Sequence, residues 1–412
     1  MVSLKDSVDF KGLRKVHLLL GPECNMRCRH CHQSPEKEVV YPCGDSLSDD
    51  VLSFLDRYIA YSQDRDVLEG IPEHDRYFTV EFYGGEPLLH WGLIRDTVVR
   101  YTEKFGLLGS RSFRFSLVTN GLGLTEEIVD FVNRYGIDFS LSYDAPYPFA
   151  VRGYVSDRIC SLANRVENLT IICSGCAYNC DPVLAYRCLM VKFPEARYVI
   201  RTEVLRTFAE MDDDIDRYDA EKLRRSVRRL FIAAKLKDEF AFDYVSRIFH
   251  FLVHPEDNYF HANGGVGACV SGHRELSVRT DGTVAFCYNS GDVLGHVATD
   301  SLETIHGKAV RIWKDAYDPA CATCEARPFC NWGCMLALRD GNRHMSACER
   351  YRKPFFRIVK EEMGILLEPL SKKDYDWFRE EEYVMDRQVR TFIAEGRRYG
   401  KEHTGLPKEL FA

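Results

Sequence analysis

The stretch Cys24-Asn25-Met26-Arg27-Cys28-Arg29-His30-Cys31 sets three thiols at spacings of three and then two intervening residues, directly after the apolar run Leu18 to Leu20. Three cysteines leave one iron of a cubane [4Fe-4S] cluster without a protein ligand. Structural clusters take four thiolates, so a set of three points to an open iron that binds something reactive. The competing reading is a zinc loop, in which closely spaced pairs are completed by a fourth Cys or His such as His32. The run Lys15 to Leu20 reads as a short buried strand, and cofactor chemistry at the C-terminal ends of strands is the habit of α/β barrels.

Composition narrows the class. The 412 residues are 45% hydrophobic and 12% aromatic, enough for a large core and two or three domains. The net charge of -7, with signs interspersed, argues against nucleic acid as a partner, because phosphate binding needs a basic excess. No apolar stretch is long enough to span a bilayer and Met1 to Arg14 lacks a signal-peptide core, so the expected location is the cytoplasm, without a membrane partner. Sixteen cysteines in that setting are metal ligands rather than a disulfide framework.

Strand and helix patterns alternate from the cysteine loop onward. Helical spacing over Ser46 to Ala60 is followed by a strand, Arg76 to Tyr83, that runs into Gly84-Gly85-Glu86-Pro87. There the two glycines permit close approach of backbone to a ligand, and the carboxylate suits an ammonium. Helix Trp91 to Phe105, strand Phe113 to Thr119, helix Glu126 to Tyr135, strand Ile137 to Tyr143, helix Tyr154 to Val166 and strands Leu169 to Cys173 and Arg197 to Val204 complete about six β/α units. Six parallel strands with intervening helices predict an α/β fold, a partial (β/α)6 barrel of the TIM type, open on one side.

The C-x3-C-x2-C loop, with His30 in the place of an aromatic before the third cysteine, together with Gly84 to Pro87, resembles the radical S-adenosylmethionine (SAM) superfamily. That resemblance implies a [4Fe-4S] cluster on Cys24, Cys28 and Cys31, and contact of Gly84, Gly85, Glu86 and Pro87 with the amino group of SAM. It also implies ribose and carboxylate contacts from Thr119 and Asn120 of the Thr-Asn-Gly strand end, and from Ser142 and Asp144 of Ser-Tyr-Asp. Ala145 stands where the family carries glycine after that aspartate.

The cysteines Cys173, Cys176, Cys180 and Cys188 either hold a further metal or pack as small hydrophobes; Cys43 and Cys160 read as packing residues. Asp212 to Asp219 forms an acidic linker before a basic helix, Glu221 to Lys237, which reads as a solvated face with peptide docking as the alternative. Farther on, Cys269, Gly282, Cys287, Cys321, Cys324, Cys330, Cys334 and Cys348 follow C-x12-G-x4-C, then C-x2-C-x5-C-x3-C, then C. A hairpin fits Leu276 to Val278, the turn Asp281-Gly282 and Val284 to Phe286. The pattern resembles the SPASM domain, and implies two auxiliary [4Fe-4S] clusters. Cys321, Cys324, Cys330 and Cys348 would hold the one farther from SAM. Cys269, Cys287 and Cys334 would hold the nearer, with an open iron unless His273 or Glu275 fills it.

The expected organisation is a radical SAM barrel over 1–210, a helical linker over 211–262, a SPASM domain over 263–350 and a C-terminal helical extension over 351–412. Apolar residues at helical spacing, Phe378, Met385, Val389 and Phe392, suggest that the extension packs back on the SPASM domain. Together the resemblances imply an enzyme with three [4Fe-4S] clusters that cleaves SAM to a 5'-deoxyadenosyl radical, fed by an external donor of the flavodoxin or ferredoxin type. Its substrate would be a precursor peptide or protein, given a thioether or other cross-link. A formylglycine-forming sulfatase maturase is the alternative enzyme, and a non-catalytic iron-sulfur or zinc scaffold the alternative from another class.

Overall fold

Six strands in the first half of the chain, β1 (Lys15–Leu19), β2 (Phe78–Tyr83), β3 (Phe113–Thr119), β4 (Asp138–Ser142), β5 (Leu169–Ser174) and β6 (Arg197–Arg201), pair parallel in the order β6-β5-β4-β3-β2-β1. The crossovers are α1 (Asp49–Gln63) with the short α2 (Arg65–Glu69), then α3 (Trp91–Phe105), α4 (Glu126–Arg134), α5 (Asp157–Ala163) and α6 (Pro182–Lys192). This is the partial barrel expected. It comes from a computed structural model that describes residues 10, 12–31, 41, 44–146, 152–153, 155–175, 180–201, 218–253, 271–288, 290–316, 319–326 and 353–402.

Local chemistry sets the helix starts. Ser48, Thr125, Ser156 and Asp181 each accept a hydrogen bond from a backbone N–H in the first turn of α1, α4, α5 and α6. Strand β2 begins at Phe78 rather than Arg76 because residues 73–75 form a 3-10 turn, with the Arg76 guanidinium donating to the Ile71 carbonyl. Helix α6, which no sequence signal marked, buries Pro182, Val183, Leu184, Ala185, Cys188 and Leu189, and a segment apolar around most of its girth has no stripe to read.

The strands alternate in a way that parallel strands buried on both faces do not. Val16, Leu18, Val80, Phe82, Phe115, Leu117, Phe139, Leu141 and Ile171 are buried in the hydrophobic core. The opposite, inner face carries charge. Lys15 and His17 reach Glu81, which also accepts from Ser116; His17 reaches Glu275; Arg114 and Arg197 flank Asp138. A closed TIM barrel fills its interior with branched aliphatics. Here the interior is polar, and it is available for chemistry.

The cysteine-rich part joins the same sheet. Strand β7 (Glu275–Arg279) lies parallel against the free edge of β1, from Lys15 opposite Glu275 to Leu19 opposite Arg279; β8 (Thr283–Ala285) and β9 (Val293–His296) follow antiparallel, giving nine strands. The expected hairpin is present, but it extends the barrel sheet. Between the two parts run α7 (Ala220–Lys235) and α8 (Glu239–Val253), and α9 (Leu302–Asp315) follows β9.

The C-terminal helices depart from expectation. Helices α10 (Lys353–Glu362), α11 (Gly364–Leu367) and α12 (Lys372–Glu402) pack on α7, and α12 also on α5 and α6. The basic helix α7 is therefore no solvated face. Arg224 pairs with Glu361 and Glu362, Arg225 with Glu381, Arg228 with Asp374, and the buried Arg229 with both Asp181 and Glu381. The spacing of Met385 and Phe392 was a sound sign of burial, but the partner is the first half of the chain. Toward the cysteine-rich part, the described residues give one ion pair from this extension, Arg357 to Glu325 at 2.6 Å. Among the described residues no helix is long and apolar enough to cross a membrane.

Candidate functional site

The cysteine loop is clamped by the strand end beside it. Past β1, Leu20 N–H donates to the Tyr83 carbonyl (3.0 Å), Gly85 N–H to the Gly21 carbonyl (2.8 Å) and Glu86 N–H to the Glu23 carbonyl (2.7 Å). Gly84 has φ +143°, and a Cβ there would stand 2.5 Å from the Gly21 carbonyl oxygen; a Cβ on Gly85 would collide with the carbonyls of Pro22 and Glu23. The close approach these glycines permit is thus to the protein's own cysteine loop.

Glu86 has a similar inward role. Its carboxylate accepts from the Leu88 N–H (3.0 Å), the Thr119 hydroxyl (2.5 Å) and the Asn120 N–H (2.8 Å), and it caps the 3-10 turn Pro87–His90. Burial raises its pKa in spite of these donors. The Asn120 side chain donates to Asn25 Oδ1 at 2.8 Å and approaches Cys24 Sγ at 3.8 Å. Glu86, Thr119 and Asn120 thereby form one buried bridge from β2 through β3 to the loop.

Cys24, Cys28 and Cys31 are half-buried on that loop, with the Cys31 N–H turned back onto the Cys28 carbonyl (3.0 Å). Burial pushes the Cys28 thiol up to about 12, the charges of Cys31, Asp144 and Cys24 adding to the rise and Arg152 opposing it; Cys24 is raised, again chiefly by burial. Three soft donors side by side on one loop suit a thiophilic cation. N–H groups of Met26, Asn120 and Arg152 approach their sulfurs at 3.4, 3.8 and 3.9 Å, the kind of donor that tunes cluster sulfur. This donor set fits an iron-sulfur cluster.

Asp144 is fully buried. One oxygen accepts from the Ser174 N–H (2.8 Å) and the other from Arg152 Nε (2.9 Å). Arg152, which no motif marked, is held with its pKa raised: burial alone would lower it, but Asp144 and Cys28 outweigh that. Ser142 stands at the end of β4, in register with Ile172 of β5.

Cys287 is buried just past β8, and Tyr288 beside it packs 5.1 Å from the His17 ring and 4.4 Å from the ring of Tyr83, the residue before Gly84. The first cysteine of the hairpin return and the SAM-type motif are therefore linked through two tyrosines. Cys321 and Cys324 are half-buried at the 3-10 turn Pro319–Thr323; Cys269, Cys330, Cys334 and Cys348 lie outside the described residues. Glu275 is committed to His17 at 3.1 Å, and His273 stacks on His306 at 4.6 Å. Cys173, Cys180 and Cys188 are core residues, Cys173 Sγ lying 3.7 Å from the Ala145 carbonyl, while Cys176 is outside the described residues. Among the described residues no group of His, Cys, Asp and Glu side chains gathers as a preformed metal site, the three thiols of the loop included.

A six-unit parallel barrel with a clamped three-cysteine loop at the end of its first strand, and a cysteine-bearing hairpin on the same sheet, defines an enzyme class built to generate a radical from SAM. The comparisons agree. The radical SAM superfamily model matches residues 18–181, and the SPASM model, an iron-sulfur cluster-binding domain, matches 259–325. The chain is 21% identical over 393 residues to the radical SAM cyclopropyl synthase TigE of Paramaledivibacter caminithermalis, covering 86% of this chain and 75% of that protein. Among solved structures, native anSMEcpe with bound AdoMet superposes with a TM-score of 0.57 at 16% identity, over 86% of this chain and all of that one. SuiB of Streptococcus suis, bound to its precursor peptide SuiA, gives 0.50 at 13%, over 78% and 72%. This chain belongs to the radical SAM enzymes that carry a SPASM domain, and the alternative of a non-catalytic scaffold is set aside.

Proposed function

We propose that this enzyme oxidatively modifies a ribosomally made peptide, forming a thioether or another cross-link. The observation that supports this choice is that no cysteine stands between Cys269 and Cys287, which would leave the inner cluster an open iron for a substrate thiolate. Burial would raise Glu81, but His17 and Lys15 hold it at about 2; Glu275 is likewise lowered by His17, and Asp138 lies between Arg114 and Arg197. A carboxylate held that low is a poor general base. Cross-linking and formylglycine formation both shed a thiol proton, for which Glu81 and Glu275 are poor acceptors. The names of solved relatives support a peptide substrate: SuiB was solved with a precursor peptide, and anSMEcpe with a peptide.

In this reading Cys24, Cys28 and Cys31 hold the SAM-binding cluster. Cys321, Cys324, Cys330 and Cys348 hold the outer auxiliary cluster, and Cys269, Cys287 and Cys334 the inner one, three clusters in all. A cluster held by Cys24, Cys28 and Cys31 and fed by a flavodoxin or ferredoxin would supply reductive cleavage of SAM to a 5'-deoxyadenosyl radical. The protein's task is orientation and exclusion of water. Gly84, Gly85, Pro87, Thr119, Asn120 and Ser142 rim the SAM site, with Glu86 and Asp144 acting behind them as fixed anchors. Tyr83 and Tyr288, in ring contact, stand between that rim and Cys287. A cytoplasmic location belongs to the same reading, since thiol ligands stay reduced there.

The test is anaerobic co-expression with precursor peptides encoded near the gene, read by mass spectrometry. Loss of a pair of hydrogens per link with all sulfur retained is the expected result. Conversion of a substrate cysteine with loss of its sulfur, at a sulfatase-type sequence, would transfer the assignment to the sulfatase-maturing reaction.

A further inference from the structure

We propose that Arg152 sets the reduction potential of the cluster held by Cys24, Cys28 and Cys31. The guanidinium is buried and distributes its nitrogens over three partners: Nε donates to Asp144 Oδ2 at 2.9 Å, Nη1 points to Cys28 Sγ at 3.9 Å, and Nη2 lies 3.2 Å from His30 Nε2. His30 Nε2 also lies 3.6 Å from Asp144 Oδ2, so the imidazole faces both members of the Arg152–Asp144 pair. One side chain thus grips the loop at residues 28 and 30, while Asp144, fixed by the Ser174 N–H, ties that grip to the ends of β4 and β5.

The electron that reduces such a cluster is shared with its thiolate sulfurs. A permanent positive charge and an N–H aimed at one sulfur stabilise the reduced form, and they do so more strongly where water is excluded. Arg152 has an exposed side-chain fraction of 11% and Asp144 of 0%, so solvent screens little of this effect. Asp144 offsets part of the charge, which gives the pair opposite signs: removing the arginine lowers the potential, and neutralising the aspartate raises it. Arg152 is a positioning residue in this account, acting on the cluster through Cys28.

The inference rests on the assignment of a cluster to the three-cysteine loop, and the experiment separates the two. Full-length wild type, Arg152→Met, Arg152→Lys and Asp144→Asn are reconstituted anaerobically. Each is titrated without SAM, following by EPR the reduced signal that changes when SAM is later added. Arg152→Met is expected to lower the midpoint potential by about 59 mV, a tenfold change in the one-electron equilibrium. Arg152→Lys should fall between it and wild type, and Asp144→Asn should shift upward. If Arg152→Met fails to take up iron, the opposite shifts of the other two variants carry the test. Unchanged potentials in the loaded variants overturn the proposal, and weakened SAM binding alongside them would make Arg152 a SAM ligand alone. Iron content and EPR that do not change in Cys24→Ala/Cys28→Ala/Cys31→Ala overturn the underlying assignment instead.

Discussion

A single methyl group at position 85 has nowhere to go. The carbonyls of Pro22 and Glu23 occupy its place, and they belong to the segment that presents Cys24. Gly85→Ala is therefore expected to displace the loop while leaving the barrel folded. Iron content should drop by up to about four per chain and 5'-deoxyadenosine formation by more than about 100-fold, with little change in far-UV circular dichroism. Gly92→Ala, where a Cβ meets nothing, is the control. The motif itself was legible in the sequence, but its physical role was not. Glycine signals close approach without naming what approaches, and only the fold brings residues 21–23 against 84–86.

His17 supplies a pH dependence at the same scale. Burial alone would lower its pKa, but Glu275 and Glu81 carry it to about 9. The folded value lies above the unfolded one of about 6.5, so the stabilisation is complete below about 6.5 and disappears as pH rises through 9, amounting to at most about 3 kcal/mol. Glu81 is lowered to about 2, and its share is lost only as pH falls toward that value. Melting temperature should therefore decline from pH 7 to 9.5 in the wild type. In His17→Gln it should start lower and stay nearly flat over that range; a parallel decline in both would contradict the assignment.

At the level of elements, the docking of α12 on α7 is the interaction most exposed to test. Arg229 is buried with Asp181 at the start of α6 and Glu381 on α12. Arg229→Met leaves the buried Asp181 without its cation and Glu381 with Arg225 alone, at a cost of about 3–5 kcal/mol. Thermal unfolding and limited proteolysis should show α12 released first, whereas intact protection of 372–402 would argue that apolar contacts alone hold it. The helical spacing of Met385, Val389 and Phe392 made α12 readable. Its destination was not, because charge matching between α7 and residues 361–381 is a pairing between distant segments that periodicity does not encode. Helix α6 was invisible for another reason, since burial over most of its surface erases the polar face. Arg152 escaped because it lies in an irregular segment eight residues beyond Asp144, where neither period nor motif applies.

For the molecule as a whole, three clusters correspond to about twelve irons per chain after anaerobic reconstitution, falling by about four in the Cys24/Cys28/Cys31 triple alanine variant. A total near eight in the wild type would remove one auxiliary cluster from the assignment. The continuity of the sheet bears on how such a protein comes into being. Strand β1 is flanked on one side by β2 and on the other by β7, and His17 meets Glu275 across 258 positions of sequence. A nascent chain emerging at about 5–20 residues per second waits tens of seconds, with the edge of its first strand unpaired, before β7 is translated. Exposed edges of that kind recruit other strands, so residues 1–210 expressed alone should aggregate unless a segment supplying β7 is added in trans. The strand that presents the three-cysteine loop is completed only when the cysteine-rich half has been made, which ties the setting of the first cysteine group to synthesis of the second.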